Sequence, residues 1–211
     1  MSRRFILMAD VIKSTHMNAP RLMRDFKEIA SQINRQSPEA FYSPITITLG
    51  DEFQSVVHSL KSGTDAILSF EEAIINERKD FKLRYALNFG EINTPINKQA
   101  AYGMLGPGLL ETRSFLARMK DSRDRFFFHL EDPDLSGKMN MIFRLYQMVV
   151  DAWRIKDFPV IAEFLKNQDY KAVADKLKKD RSLMWKRERS LNIAAYITIK
   201  DLISKEIIPH A

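Results

Sequence analysis

Three acidic residues stand where two apolar segments end. Asp10 follows the unbroken apolar run of residues 5–9, and Asp51 and Glu52 closely follow residues 45–49, in which Ile and Leu alternate with Thr. Carboxylate oxygens are the ligands that Mg²⁺ and Mn²⁺ prefer in proteins. If folding brings these acids together, their like charges repel unless a cation lies between them. We therefore predict a site for Mg²⁺ or Mn²⁺ at Asp10, Asp51 and Glu52.

A simpler interpretation of the same acids stays open. Gly50 and Asp51 are typical turn residues, so Asp51 would only shape a hairpin and Asp10 would only cap a loop. Arg84 lies in a second alternating segment and is a candidate partner for a phosphate or for one of the acids. The alternative for Arg84 is a solvated strand face, where charged side chains usually lie.

A basic segment, residues 176–189, is the second candidate site. It contains seven Lys or Arg residues and two acids, in a chain whose net charge is +6. Clustered cations of this kind favour contact with nucleic-acid phosphates. We predict DNA contacts from six of them: Lys178, Lys179, Arg181, Lys186, Arg187 and Arg189. The alternative is a solvated helix face without a partner.

The composition argues against several other kinds of site. The chain has no cysteine, which excludes disulfides, thiolate metal sites and cysteine nucleophiles. The histidines show no metal-ligand spacing, which predicts structural or surface roles for His16, His58, His129 and His210. No apolar run approaches the roughly 18 residues that a membrane helix needs. We expect a cytoplasmic protein that does not bind a membrane.

The periodicity of the first 90 residues predicts how the acids are positioned. The predicted order is a strand at 5–9, a helix at 19–36, a hairpin at 45–58, a helix at 62–78 and a strand at 81–90. This is the βαββαβ order of a ferredoxin-like fold, in the α+β class, whose antiparallel sheet has strand order four, one, three, two. In that sheet, the strand ends that carry Asp10, Asp51 and Arg84 meet at one corner.

Strand signals continue only as far as residue 128. We predict a loop at 91–101, a helix at 109–120 and a strand at 126–128. The Asp, Pro and Gly cluster at 131–137 is a candidate boundary, because only helical periodicity follows it. The sequence therefore predicts an α/β domain at 1–131 and an all-α domain at 138–211.

The helical part begins with predicted helices at 139–153 and 158–165. A short helix at 170–177, a polar turn at 179–181 and a long helix from Ser182 through Ile197 then follow. A short helix, a tight turn and a longer basic helix are typical of a helix-turn-helix.

Several motifs resemble known families, in chain order. The motifs are ADVIKST at 9–15, LGDEF at 49–53, RYALNFGEI at 84–92, and the later pairs Tyr102-Gly103 and Ala117-Arg118. Together they resemble class III nucleotide cyclases, and the hairpin is also similar to that of GGDEF domains. The whole chain, with its helical tail, resembles the bacterial SatD family. This resemblance implies a cyclase-like fold with Asp10 and Asp51 in the places of the two metal-binding aspartates.

The motifs also depart from the cyclase pattern. If Arg113 fills the place of the arginine that stabilises the triphosphate, Leu109 stands where the ribose-orienting asparagine is expected. A GGDEF domain has a second glycine where Leu49 stands. We therefore predict a nucleotide site at Arg84 and Arg113 without cyclase turnover.

The function that these motifs predict is regulatory. We expect a protein that couples nucleotide or metal binding in the cyclase-like domain to DNA binding by the helix-turn-helix. Two alternatives stay open. One is an enzyme that converts nucleoside triphosphates and whose tail forms a homodimer. The other is an interaction module whose two sites are vestigial.

Overall fold

A five-stranded sheet forms the centre of the molecule. The structure is a computed structural model that describes residues 2–207. The strands are β1 Ser2–Val11, β2 Phe41–Ile47, β3 Glu52–Val57, β4 Leu83–Ile92 and β5 Phe126–His129, in the order β2-β3-β1-β4-β5. β1 is antiparallel to both β3 and β4, whereas β5 is parallel to β4. The predicted order of the first four strands is confirmed.

Eight α-helices surround the sheet in the described residues. They are α1 Ala19–Gln36, α2 Leu60–Asn76, α3 Pro107–Met119, α4 Pro133–Val150, α5 Phe158–Lys166, α6 Tyr170–Leu177, α7 Arg181–Ser190 and α8 Ile193–Ile207. α1 and α2 pack on one face of the sheet, and α3 covers the other. Both faces of β1 are therefore buried from Ile6 to Val11, which explains its unbroken apolar run. None of these helices, within residues 2–207, is both long and apolar enough to cross a membrane.

Each outer strand of the sheet is covered by an asparagine from a helix. Asn34 of α1 donates to the Ile45 carbonyl and accepts from the Ile45 amide, both at 2.9 Å. Asn140 of α4 makes the same pair of bonds to Phe128 of β5, again at 2.9 Å. These amides take the place of a further strand and cover edges that would otherwise be open to another chain.

Arg125 and Glu71 form a buried ion pair under β4. The Arg125 guanidinium donates to the two Glu71 oxygens at 3.1 and 2.7 Å, to the Leu83 carbonyl at 2.8 Å and to Asp151 at 3.0 Å. The Tyr85 hydroxyl donates to Glu71 at 3.0 Å. Burial alone would lower the pKa of Arg125, but the charge of Glu71 raises it above its usual value. The pair joins α2, β4 and the end of α4.

The C-terminal helices share a core with the sheet. Glu72 of α2 accepts from the Tyr196 hydroxyl at 2.8 Å and pairs with Lys200, both on α8. Trp153 is buried and its indole donates to the Leu191 carbonyl at 2.8 Å. The division into 1–131 and 138–211 stays a prediction. Residues on both sides of it contribute to one apolar cluster.

Several predicted boundaries are wrong. The helix predicted at 139–153 extends from Pro133 to Val150, because Asp132 caps it and proline is tolerated in its first turn, so most of the cluster at 131–137 is helical.

The helix predicted from Ser182 through Ile197 is two helices, because Asn192 has a φ of 52° and the chain changes direction between α7 and α8. Asparagine adopts this left-handed conformation more readily than most residues. Leu49 does not continue the alternation of β2. That strand ends at Ile47, and Leu49 lies in the turn with 62% exposure.

Candidate functional site

One row of side chains crosses three strands near the end of β1. Asp10 lies opposite Glu52 of β3 on one side and opposite Arg84 of β4 on the other. Ile6 and Met8 belong to the apolar cluster on the α3 face, and successive strand residues alternate between faces, so the row faces α3. The predicted meeting of these strand ends is confirmed.

Asp10 is neutralised by cations of the protein. Its side chain is buried, and Arg84 binds both carboxylate oxygens, with Nε at 2.8 Å from Oδ1 and Nη2 at 3.0 Å from Oδ2. Lys120, directly after α3, places its Nζ 3.5 Å from Oδ2. Two-point Arg–carboxylate contacts are among the strongest hydrogen-bonded pairs in proteins. The repulsion that suggested a bound cation is relieved by Arg84 and Lys120.

The other two acids have weaker partners. The Arg113 guanidinium lies 3.9 Å from the Glu52 carboxylate. Asp51 accepts a hydrogen bond from the Ser14 hydroxyl at 2.5 Å, and its carbonyl accepts from the Val11 amide at 2.9 Å. The hairpin turn is thereby held against the end of β1.

We call these residues the charged corner: Asp10, Asp51, Glu52, Arg84, Arg113 and Lys120. The formal charges of its three carboxylates and three cations sum to zero. Asp10 and Glu52 pair with these cations, whereas the Asp51 carboxylate bonds to the Ser14 hydroxyl. The sequence analysis did not predict Lys120 as a member of the charged corner, nor Ser14 as the partner of Asp51. A signal for Lys120 was available, since cations are favoured at the C-terminal end of a helix.

The corner does not fit the predicted metal. In the described residues, no three acidic or histidine side chains are arranged to hold an ion. Both oxygens of Asp10 are already paired, and the three described histidines are exposed. His210 lies outside the described residues. The assignment of Asp10, Asp51 and Glu52 to Mg²⁺ or Mn²⁺ stays a prediction without support from their arrangement.

Close packing of α3 on β4 places Lys120 at the corner. A Cβ atom on Gly90 would lie 2.5 Å from the Cα atom of Gly108, so the two backbones touch only because both residues lack a side chain. The buried Asn88 amide donates to the Thr112 hydroxyl and to the Gly108 carbonyl, both at 3.1 Å. The start of α3 is thus fixed near the end of β4, and its last turn lies near the corner.

The basic segment forms a second exposed surface. α6 and α7 are joined by residues 178–180, where Lys178 has a φ of 53° and Asp180 caps α7 by accepting from the Leu183 amide at 3.0 Å. Ala174 is fully buried, as close packing of the two helices requires. The short helix and the turn that the sequence predicts are therefore present.

The six predicted DNA contacts differ in their availability. Lys178, Lys179 and Lys186 are exposed. Arg181 pairs with Asp175 at 2.9 Å, an exposed contact that is easily exchanged. Arg187 is partly buried and pairs with Asp157 at 2.6 Å. Arg189 lies 4.3 Å from the centre of the Trp185 ring, in a cation–π contact.

The fold and the charged corner together define an α+β protein whose sheet ends in a neutralised row of acids and cations. A family model described as the SatD family matches residues 5–207. The chain therefore belongs to the SatD family, as its sequence motifs indicated. A search of curated proteins found no match.

Solved structures with similar folds include three nucleotide cyclases. The guanylyl cyclase Cya2 is 14% identical over 56% of this chain and 71% of that chain, with a TM-score of 0.42. A bacterial light-regulated adenylyl cyclase is 12% identical over 60% of this chain and 42% of that chain, with a TM-score of 0.46. The guanylate cyclase domain of RhGC from Catenaria anguillulae, in complex with GTP, is 14% identical over 66% and 81%, with a TM-score of 0.37. With TM-scores below 0.5, these likenesses carry no argument about this site.

Proposed function

We propose that this protein binds duplex DNA through α6 and α7. The observation that carries the proposal is an eight-residue helix, a tight turn and a ten-residue helix, with basic side chains exposed on the turn and the second helix. In a helix-turn-helix, the second helix enters the major groove while the first crosses the backbone. The buried Ala174 supports the close approach of the two helices that this geometry needs.

The exposed cations divide into two groups in this proposal. Lys178 and Lys179 lie at the turn, where they would contact phosphates. Lys186 and Arg189 are three residues apart on α7 and would face the groove together. Arg187 is assigned to DNA only if its pair with Asp157 opens, because that contact otherwise holds α7 against the start of α5.

The test is fluorescence anisotropy of labelled duplex DNA against the full chain over a range of salt concentrations. Replacing Lys178 and Lys179 with alanine should lower the magnitude of the log–log salt slope by about 1.8, because each phosphate contact contributes about 0.9. A matched control replaces two exposed cations outside α6 and α7, Arg35 and Arg123, and should leave the slope unchanged. Absence of binding at low salt would contradict the proposal.

The predicted homodimer is tested by analytical ultracentrifugation of the same samples.

A nucleotide phosphate at the charged corner is the second candidate. Arg113 and Lys120 support it, because their side chains are 54% and 53% exposed and their contacts to Glu52 and Asp10 are long, at 3.9 and 3.5 Å. A phosphate would compete with those carboxylates for both cations, and so we expect weak binding. Arg113→Gln should remove any ATP- or GTP-dependent rise in the thermal unfolding temperature, because a ligand of the folded state raises that temperature.

These two sites together would make the chain a regulatory protein with a cyclase-like, ferredoxin-like part and a DNA-binding part. The competing proposal is an enzyme acting on nucleoside triphosphates. The two proposals are distinguished by incubating ATP and GTP with the protein and Mn²⁺ and analysing the products by chromatography. Cyclic or dinucleotide products above background would favour the enzyme. Without the ribose-orienting asparagine, we expect none.

A further inference from the structure

A groove separate from the charged corner runs between α1 and the outer edge of β2. Its volume is about 780 Å³, within the range of about 300–1,000 Å³ that is usual for small-molecule sites. Ala30 and Ile45, both buried, line it together with the partly buried Pro44 and Ile47. Because Asn34 holds both backbone groups of Ile45, this apolar wall is fixed before any ligand arrives.

The charges that line the groove are all positive. Arg24 and Lys27 lie one helical turn apart on α1 and are exposed. Among the described residues, the lining includes no Asp or Glu. The ion-pair contact of Arg24 with the neighbouring Asp25 is long, at 3.7 Å, and Asp25 lies nearer to Lys79, at 3.2 Å. Unlike the charged corner, this groove therefore presents cations that carboxylates do not neutralise closely.

We propose that the groove binds a small organic anion. Its apolar or heteroaromatic body would lie on Ile45 and Pro44, and its phosphate, sulfonate or carboxylate group would lie between Arg24 and Lys27. Ser31 and Gln99 also line the groove and offer hydrogen bonds to the edge of a heteroaromatic ring. An apolar surface with a few polar groups is the usual composition of such a site.

The groove also meets the hairpin turn. Met23 and Gly50 line both the groove and a smaller cavity beside it, and that cavity also includes Ser14 and Asp51. A ligand in the groove would therefore contact the turn that carries Asp51, without contacting the cations of the charged corner.

The probe for this site is 8-anilinonaphthalene-1-sulfonate, with neutral N-phenyl-1-naphthylamine as its uncharged counterpart, each titrated by fluorescence into the full chain. Replacing Arg24 and Lys27 with Gln should weaken sulfonate binding at least tenfold and change the binding of the neutral compound less than twofold. The matched control, Arg35→Gln with Arg123→Gln, removes the same charge outside the groove and should leave both affinities unchanged.

A second variant tests the location. Ser31→Trp fills the groove and should abolish binding of both compounds while the thermal unfolding transition stays cooperative. If that variant does not fold, Ala100→Trp fills the same groove from the opposite wall. Three results would each overturn the proposal: no binding to the unmodified chain, sulfonate binding that is unchanged by the Arg24 and Lys27 substitutions, or binding that persists in a folded, groove-filled variant.

Discussion

Two arginine–carboxylate pairs lie on opposite faces of the same sheet and differ in what surrounds them. Arg84 with Asp10 faces α3, and Arg125 with Glu71 lies on the side of α2. Both are two-point contacts with shortest distances of 2.8 and 2.7 Å. Arg125 and Glu71 have only 5% and 7% of their side chains exposed and make further bonds to β4 and to the end of α4. Asp10 is as deeply buried, but its further partner, Lys120, is half exposed.

The difference separates a structural pair from a pair that can exchange partners. A buried pair whose remaining hydrogen-bonding groups are satisfied holds elements in one arrangement, and losing one partner leaves an uncompensated charge. Beside Arg84, the side chains of Lys120 and Arg113 are about half exposed and contact their carboxylates at 3.5 and 3.9 Å, so an incoming anion can reach them. We therefore expect substitutions at the Arg125 pair to change mainly stability, and substitutions at the corner to change mainly ligand response.

The largest effect is expected for Arg125→Met. Among residues 2–207, Glu71 would then keep only the Tyr85 hydroxyl as a partner, and leaving its charge buried should cost roughly 3–5 kcal/mol of the free energy of unfolding. Urea denaturation at neutral pH measures it. Glu71→Leu added to Arg125→Met removes the unpaired charge and should restore about 1 kcal/mol or more. A loss below about 1 kcal/mol in the single variant would contradict the structural role of this pair, since such losses are typical of ordinary substitutions.

A smaller loss is expected for Arg84→Met. Asp10 would keep Lys120, whose Nζ lies at 3.5 Å and whose side chain is 53% exposed. The expected cost is about 1–3 kcal/mol, the range for a buried polar group that loses one partner. The same urea denaturation gives the comparison. If Arg84→Met costs as much as Arg125→Met, the two pairs are equally structural and the distinction between them fails.

Alkaline pH should lower the stability mainly through groups on the face of the sheet that carries Arg125. Burial raises the pKa of Tyr85 well above its usual value, and the pKa values of Tyr146 and Tyr196 are also raised by burial. Above about pH 10 the unfolded chain loses these protons while the folded chain keeps them, so stability falls as pH rises, by about 1.4 kcal/mol per pH unit for each tyrosine. Tyr85→Phe should reduce that slope by one such increment. An unchanged slope between pH 10 and 11.5 would show that Tyr85 does not retain its proton.

The corner was predictable from the sequence and the Arg125 pair was not. Periodicity and strand order are enough to bring Asp10, Glu52 and Arg84 to one sheet end, because antiparallel neighbours fix which ends meet. The choice between a metal and an arginine as the partner of Asp10 depends on side-chain conformations and on the position of Lys120. Sequence periodicity supplies neither.

The sequence alone also did not show which individual polar residues are buried. Arg125 ends the polar stretch of residues 120–125 and Glu71 stands beside a second glutamate, so both have the local sequence of a solvated surface. Asn34 and Asn140 also stand in helical sequences where a polar residue is expected to face the solvent. Their roles become evident only when the strand edges that they cover are known.

The smallest effect is expected for Asp51→Asn. Asp10 is already neutralised by Arg84, and the asparagine side chain keeps an oxygen that can accept from the Ser14 hydroxyl. The free energy of unfolding should therefore change by no more than about 0.5 kcal/mol, the usual range for a substitution that breaks no buried network. Thermal unfolding with and without excess Mn²⁺ measures both this change and any metal response, and Glu111→Gln, at an exposed acid on α3, is the matched control. We expect no rise in Tm with Mn²⁺ in the unmodified chain, in Asp51→Asn or in Glu111→Gln.

The predicted metal site requires the opposite pattern. Asp51→Asn would stabilise the metal-free protein, because two acids would no longer repel each other. A Mn²⁺-dependent rise in Tm would be present in the unmodified chain and in Glu111→Gln but lost in Asp51→Asn. That pattern would show that the Arg84 pair opens when a cation binds, and the charged corner would then be a metal site whose resting state is closed by its own arginine.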